Sequence, residues 1–211
     1  VTTHPDLRPV TGFGPWPPGR SASTTGRWAK LLVDRLGAAL LVLLLAPLML
    51  GIALAIRCDD RGPVLTRRTM VGRQGRPFVL LGFRTTGVEA GRTRVGAVLR
   101  RCSLDGLPQL FNVLVGQMSL VGPRPLAPGE VARFGPDARR RLLVRPGLTG
   151  VWQLNGRGGP SRDLSWAEAA RLDLRYVEDW RPGLDVRILS RSVTAALNGR
   201  GDDADEGSTG G

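Results

Sequence analysis

The 211 residues carry 30 Lys+Arg against 18 Asp+Glu, a formal net charge of +12, in a length that suits one domain. Two cysteines (Cys58, Cys102) and one histidine (His4) exclude a disulfide framework, a Cys/His zinc site and a His-dependent triad, so acid, base and nucleophile roles fall to carboxylates. A 42% hydrophobic content argues for a folded body, and the charge argues for an anionic partner: a phosphate-bearing substrate, an anionic lipid or nucleic acid.

Residues 1–26 are rich in Pro, Gly, Ser and Thr and read as a disordered extension. Residues 36–56 (LGAALLVLLLAPLMLGIALAI) run for 21 positions without a charge, which predicts a membrane helix. A cleaved signal peptide fits poorly, because a long segment precedes the apolar run and the run exceeds a usual h-region. Arg20, Arg27, Lys30 and Arg35 flank one end, and Arg57, Arg61, Arg67 and Arg68 flank the other. Positive charge at both ends places both on the cytoplasmic side. Pro47 sits mid-run, where it removes a backbone hydrogen bond and kinks a helix. A re-entrant, Pro-kinked helix satisfies both facts; a plain transmembrane helix that tolerates Pro47 is the alternative.

Beyond it, residues 79–83 read as a short strand after a turn at 75–77. Leu104, Leu107, Leu110, Phe111 and Leu114 recur at helical spacing. Residues 131–144 read as a basic amphipathic helix, interrupted at Gly135-Pro136, with Arg139, Arg140 and Arg141 suited to a membrane surface. Residues 166–180 and 186–197 read as helices, the first with Leu172, Tyr176 and Val177 on its apolar stripe. Residues 200–211 form an acidic, Gly-rich tail, whose removal leaves 29 basic against 14 acidic residues.

Three segments place Arg or a small polar residue beside backbone fixed by Gly or Pro: 99–110, 118–125, and 145–150 with Gln153, Asn155, Gly156 and Arg157. Convergent guanidinium forks on such loops suit a phosphate pocket. Asp105 stands at the predicted start of a helix, where the N-terminal dipole favours its ionised form. Beside Arg100 and Arg101 it suits a nucleophile or metal ligand; equally, Asp105 or Ser103 suits a plain N-cap, and Arg124 and Arg157 suit ordinary surface positions. Nucleic-acid binding is the weakest use of the charge, since aromatics are 5% of the chain and no nucleic-acid motif is present.

From Lys30 to about Asn198 the chain resembles the bacterial sugar transferase family, the monotopic phosphoglycosyl transferases. The resemblance rests on the apolar segment with its internal Pro, Gly62-Pro63-Val64, VGRQGRPF at 71–78, Phe83-Arg84-Thr85 and the stretch 92–101. It continues through SLDGLPQLFNVLVGQMSLVGPRP at 103–125, RPGLTGVWQLNGR at 145–157, and LDLRYVEDW and LDVRIL at 172–180 and 184–189. It implies a mainly α fold with minor β: a re-entrant N-terminal helix, interfacial amphipathic helices and a small cytoplasmic catalytic domain. The sugar transferase domain would run over 27–199, with its catalytic part at 57–199, at the bacterial inner membrane. It implies transfer of sugar 1-phosphate from a UDP-sugar to polyprenol (undecaprenyl) phosphate, releasing UMP and starting a surface polysaccharide or glycoconjugate. By the same resemblance Asp105 is the nucleophile of a covalent phosphosugar intermediate. Arg100, Arg124, Arg157 and Arg84 bind phosphate, and Mg2+ assists. The chain resembles the family's small type, and no motif speaks to oligomeric state.

Gly106 departs from that pattern, standing where the family carries a Glu linked to magnesium. Glu89, Glu130 and Asp173 are the candidate replacement ligands. Gly82 stands for Lys, Ala46 for Ser, Arg68 for Gln and Met70 for Arg, with Gly82, Gly106 and Met70 expected near the active site. The alternative reading is therefore a catalytically impaired family member acting as a membrane-anchored partner in a glycan pathway.

Overall fold

The computed structural model describes residues 24–87, 91, 93–133, 140–151 and 166–197. The first element, α1 (Thr24–Asp59), is a single 36-residue helix, about 54 Å at 1.5 Å per residue. It is built from strong helix formers, Leu and Ala above all. It starts inside the expected extension and runs well past both ends of the apolar segment. Pro47 lies within it, and the helix continues on both sides.

One stripe of α1 packs on the rest of the protein. Asp34, Ala38, Ile52 and Ile56 are buried, and Leu41, Val42, Leu45, Met49 and Ala53 join them at the helical spacing of three and four. The other faces carry Leu32, Leu36, Leu40, Leu43, Leu44, Leu50 and Leu54, all at least 60% exposed. An exposed row of that size is unusual on a water-facing surface and suits lipid.

After α1 comes an antiparallel hairpin of β1 (Leu65–Val71) and β2 (Pro77–Phe83), with Leu65 opposite Phe83 and Val71 opposite Pro77. The strand expected at 79–83 is β2. Its partner β1 escaped notice because Arg67 and Arg68 break the apolar alternation. Helix α2 (Arg94–Arg101) is N-capped by Thr93, whose Oγ1 accepts the Gly96 N–H at 2.9 Å. Helix α3 (Gln109–Leu114) is shorter than its leucine spacing predicts, for Leu104 and Leu107 lie in the preceding turn. Next come β3 (Ser119–Val121), α4 (Pro128–Arg133) and β4 (Gly147–Thr149), with β3 and β4 parallel. The chain closes with α5 (Trp166–Glu178) and α6 (Pro182–Leu197), close to the two helices expected there. The described residues are thus mainly helical with two small sheets.

Two apolar clusters lie under α1. The larger joins Ala38, Phe78, Leu110, Val113, Met118, Leu120, Val121, Tyr176, Val177 and Ile188. The smaller joins Ile52, Ile56, Phe83 and Leu99, with Leu104 and Leu107 packed against it. The basic helix expected at 131–144 is corrected in part. Residues 134–139 lie outside the described residues, and Arg141, expected at a membrane surface, is 4% exposed and paired inside the protein. The extension and the tail expected at the two ends of the chain fall on residues 1–23 and 198–211, outside the described residues.

Helix α2 touches the segment just after β2 backbone to backbone. A Cβ on Gly96 would stand 2.0 Å from the Thr85 carbonyl oxygen. Gly96→Ala is therefore expected to cost about 1–3 kcal/mol, because a backbone neighbour cannot rotate away. Thermal melting of the detergent-held variant beside the native chain checks it; an unchanged midpoint refutes the close packing.

Candidate active site

Asp105 sits in the α2–α3 junction, not at a helix start. Successive backbone bonds build the junction: Ser103 N–H to Arg100 O at 3.0 Å, Leu104 N–H to Leu99 O at 2.8 Å, Leu107 N–H to Leu104 O at 3.2 Å and Gln109 N–H to Gly106 O at 3.0 Å. Ser103 takes a φ of +53°, which turns the chain out of α2. The N-cap of α3 is Pro108, with no side-chain cap, so neither Asp105 nor Ser103 is an N-cap here. The dipole argument for Asp105 loses its direct form with that.

The junction is anchored to β2 by the Phe83 N–H, which donates to the Asp105 carbonyl at 2.9 Å. The Asp105 backbone is thus fixed while its carboxylate, half-buried, makes no hydrogen bond or ion pair with any described residue. Arg100 closes α2 at the same junction, and its Nη2 is buried without a hydrogen-bond partner. A buried guanidinium nitrogen without an acceptor is costly, and an anion at the junction would supply one.

Arg84 is placed differently from its expected role. It is 6% exposed, and its Nη1 and Nη2 donate to the Asp60 carboxylate at 2.9 Å and the Asp60 carbonyl at 3.0 Å. Gly62 leaves room for it: a Cβ there would stand 2.2 Å from Nη1. Arg84 ties the end of α1 to the end of β2, next to Phe83, and so supports the Asp105 junction. Its Nε is buried without a partner. Nearby, the Asp59 carboxylate accepts the Val95 N–H at 3.2 Å and holds the start of α2.

Arg124 belongs to a third group. Its Nη2 lies 3.8 Å from Glu130, whose Oε2 accepts the Ala127 N–H at 2.7 Å across the first turn of α4. The Arg124 backbone N–H donates to Asp173, which is 1% exposed and paired with Arg141. Glu130 and Asp173, expected as metal ligands, are thus engaged with arginines and backbone of the 122–130 loop. Glu89 and Arg157 lie outside the described residues. Among the described residues no group of three His, Cys, Asp or Glu side chains is placed to hold a metal ion, and Gly106 adds none beside Asp105. Among the described residues the donor set does not fit a protein-built Mg2+ cage.

The two glycine departures both lie at the Asp105 junction. A Cβ on Gly106 would meet the Gln109 Nε2 at 3.3 Å, and a Cβ on Gly82 would stand 3.4 Å from the Asp105 carbonyl and the Thr66 hydroxyl. A side chain at either position would meet a close neighbour: a movable Gln109 side chain at Gly106, and the Asp105 backbone with the Thr66 hydroxyl at Gly82. Met70, expected there too, is corrected: it pairs with Phe78, about 17 Å along β2 from Phe83, and packs on the larger core cluster.

Several residues that position the site were not singled out from the sequence. Asn112, 2% exposed, receives the Leu81 N–H at 3.1 Å and donates to Val79 O at 2.7 Å and Gln117 Oε1 at 2.8 Å, stitching α3 to β2. The available signal was an amide inside the apolar run 110–115. Asp34 accepts from the Ser119 hydroxyl at 2.6 Å and lies 3.6 Å from Lys30. Lys30 in turn reaches Asp185 at 2.5 Å. Asp185 also accepts from Trp180 Nε1 at 3.1 Å and lies 2.8 Å from the Tyr176 hydroxyl. Burial and the Asp185 carboxylate push the Tyr176 phenol up from its ordinary value.

Asp173 carries a pH consequence. Burial pushes its carboxyl up from 3.8 to about 6, against the pull of Arg141, and burial lowers Arg141 from its ordinary value. The native state then binds more protons than the unfolded state between pH 3.8 and about 6, so this group's contribution to stability falls as pH rises through that window and is level above it. Denaturant titrations at pH 4, 5, 6 and 7 are expected to show this slope in the native chain and its loss in Asp173→Asn; identical slopes refute it.

The chain matches the model of the bacterial sugar transferase family over residues 25–199. It is 40% identical over 185 residues to a UDP-glucose:undecaprenyl-phosphate glucose-1-phosphate transferase of Caulobacter vibrioides, covering 80% of this chain and 69% of the relative. It is 35% identical to the exopolysaccharide production protein ExoY of Rhizobium meliloti over 83% of this chain and 88% of the relative. It is 36% identical to a UDP-glucose:undecaprenyl-phosphate glucose-1-phosphate transferase of Klebsiella pneumoniae over 78% of this chain but 39% of that longer relative. On the breadth of that match and the ordered motifs that build the Asp105 junction, the chain belongs to the bacterial sugar transferase family.

Proposed function

We propose that this chain transfers sugar 1-phosphate from a UDP-sugar to a polyprenol phosphate such as undecaprenyl phosphate and releases UMP. The observation that carries the reading is the Asp105 carboxylate, unpaired among the described residues, at a junction whose hydrogen bonds are mainly backbone to backbone and shared with the partnerless Arg100 Nη2. A carboxylate left without a partner is available as a nucleophile.

In the proposed first step an Asp105 Oδ attacks the sugar-bearing phosphorus of the donor. A bond forms between Oδ and phosphorus, and the bond from phosphorus to the bridging oxygen breaks, with its electrons leaving on UMP. In the second step a phosphate oxygen of the polyprenol phosphate attacks the same phosphorus, and the Asp105 carboxylate departs. The product is a polyprenol diphosphate sugar, the first lipid-linked intermediate of a surface glycan. Two easier displacements replace one hard one. Arg100 stabilises the spread of charge over the phosphoryl oxygens, and the proposal extends that role to Arg124 and Arg157. Mg2+ is proposed as the counter-ion that the diphosphate donor brings with it, since this cation is commonly held by one or two carboxylates plus substrate phosphates.

The membrane seating belongs to the same proposal. The 21 apolar residues are long enough, about 32 Å, to cross a bilayer. Yet α1 is bonded to the domain at both ends, by Lys30 and Asp34 at one and by Asp59 and Asp60 at the other. A crossing helix would carry these polar contacts to opposite sides. This supports a helix that enters and returns at the cytoplasmic face, with its exposed leucines in lipid.

Assay of UMP release by detergent- or nanodisc-held protein, with undecaprenyl phosphate, Mg2+ and a UDP-sugar panel, tests the chemistry. The native chain is expected to release UMP, and Asp105→Asn to lose at least about a thousandfold, the scale of a removed covalent route. Silence from the native chain with release by Gly106→Glu would favour the impaired-partner reading; the 3.3 Å neighbour of Gly106 is a movable Gln109 side chain, so the substitution fits. Topology is tested separately. In a Cys102→Ser background, Ala29→Cys and native Cys58 are both expected to react with an impermeant maleimide in inside-out vesicles and neither in intact cells. Labelling from opposite sides would establish a spanning helix.

A further inference from the structure

Helix α3 has two unlike sides. Leu110, Asn112 and Val113 are buried. Phe111 and Val115 are 41% and 63% exposed. The Val115 N–H donates to the Phe111 carbonyl at 3.1 Å, so the two stand one turn apart on one face. Leu107, four residues before Phe111, continues the row into the turn that precedes α3. There the Leu110 N–H donates to Leu107 O at 3.0 Å and the Phe111 N–H to Pro108 O at 3.1 Å, which keeps the backbone coiled. From Leu107 to Val115 the row is about 12 Å long at 1.5 Å per residue.

One end of the row is the Asp105 junction. Leu107 stands two residues after Asp105 and packs on the cluster of Ile52, Ile56, Phe83 and Leu99. The other end lies beside the start of the apolar segment of α1. Gly116, next to Val115, has a φ of +81°, and a Cβ on it would stand 2.6 Å from Nη2 of Arg35. Between these ends, Leu114 packs on the same core cluster as Leu41, Val42 and Leu45 of α1. Helix α3 therefore runs back along the apolar stretch of α1, from the level of Ile52 toward that of Arg35. Phe111 and Val115 extend the exposed leucine row of α1 up to the candidate nucleophile.

The chemistry of the reactants selects an occupant for this row. The UDP-sugar is polar throughout and gains nothing from an apolar surface. The acceptor joins a phosphate to a long apolar chain. With that phosphate at Asp105, the chain has to pass from the junction into lipid, and the α3 row is an apolar surface that leads from one to the other.

We propose that Phe111 and Val115, with Leu107 at the inner end, hold the part of the acceptor's polyprenyl chain nearest its phosphate and so set that phosphate against Asp105. The inference rests on the transferase reading above and names the residues that bind its lipid substrate.

The test uses the full chain in nanodiscs. Phe111→Ser with Val115→Ser is expected to raise the KM for undecaprenyl phosphate about tenfold, the scale of two lost apolar contacts, and to leave the KM for the UDP-sugar as it was. Phe111→Leu with Val115→Leu is expected to keep the native KM, which separates lost apolar contact from lost folding. An unchanged acceptor KM in the serine pair overturns the proposal, and so does an equal rise in both KM values. A second measurement needs no turnover. Farnesyl phosphate with a diazirine on its chain is photolysed with the native protein, and the adducts are mapped by peptide mass spectrometry. Adducts are expected on residues 107–115, removed by undecaprenyl phosphate but not by the same amount of phosphatidylglycerol. Equal removal by phosphatidylglycerol would mean that ordinary bilayer lipid covers the face, and it overturns the proposal. Absence of adducts there, the result of a second copy seated on the face, overturns it too. Adducts with the expected competition but no UMP release sink the transferase reading alone; UMP release without such adducts sinks the chain track alone.

Discussion

Asp34 is a carboxylate two residues before a 21-residue stretch without charge, and it is buried. It persists because the Ser119 hydroxyl and the Leu120 N–H donate to it and Lys30 lies beside it. A buried charge without such partners would cost several kcal/mol, at least about 3 when a partner is lost. The arrangement fixes the register of α1 against β3. With that register set, Ala38, Leu41, Leu45, Met49, Ile52 and Ile56 fall on the domain side, and Asp59 and Asp60 arrive where α2 and Arg84 need them. The long apolar helix is therefore also the spine on which the candidate active site is assembled.

The junction that carries Asp105 shows how a carboxylate is kept without a partner among the described residues. Its bonds are nearly all backbone to backbone, from Ser103, Leu104, Leu107 and Gln109, with Phe83 fixing the Asp105 carbonyl. Side chains are spared for chemistry. The arginines divide the labour: Arg84 is spent on Asp60, Arg141 on Asp173, and Arg100 keeps a buried Nη2 without an acceptor. A family motif lists all such arginines alike; only their partners separate a strut from an arginine that keeps an open donor. The same holds for acids, where Glu130 and Asp173 serve loop and core while Asp105 does not.

Much of the fold was legible. The apolar run announced α1, the strand at 79–83 appeared as β2, and the two C-terminal helices fell close to their expected places. Strand β1 was hidden because hairpin pairing with β2, not alternation, makes it a strand. The α3 start was misplaced because Leu104 and Leu107 keep helical spacing while the positive φ of Ser103 breaks the helix. Arg141 was read as a surface charge because its counter-ion, Asp173, lies 32 residues away in sequence.

The sequence by itself determined the family and the long apolar helix, because these depend on composition and on motifs that are local in the chain. The tertiary structure decided which face of α1 meets protein and which arginines are already paired. It also left the half-buried Asp105 carboxylate without a partner among the described residues. These depend on contacts such as Asp34 with Ser119 and Lys30 with Asp185, separated by 85 and 155 residues. A pairing across such distances is set by the packing of the helices that carry it, and no local pattern of residues encodes it.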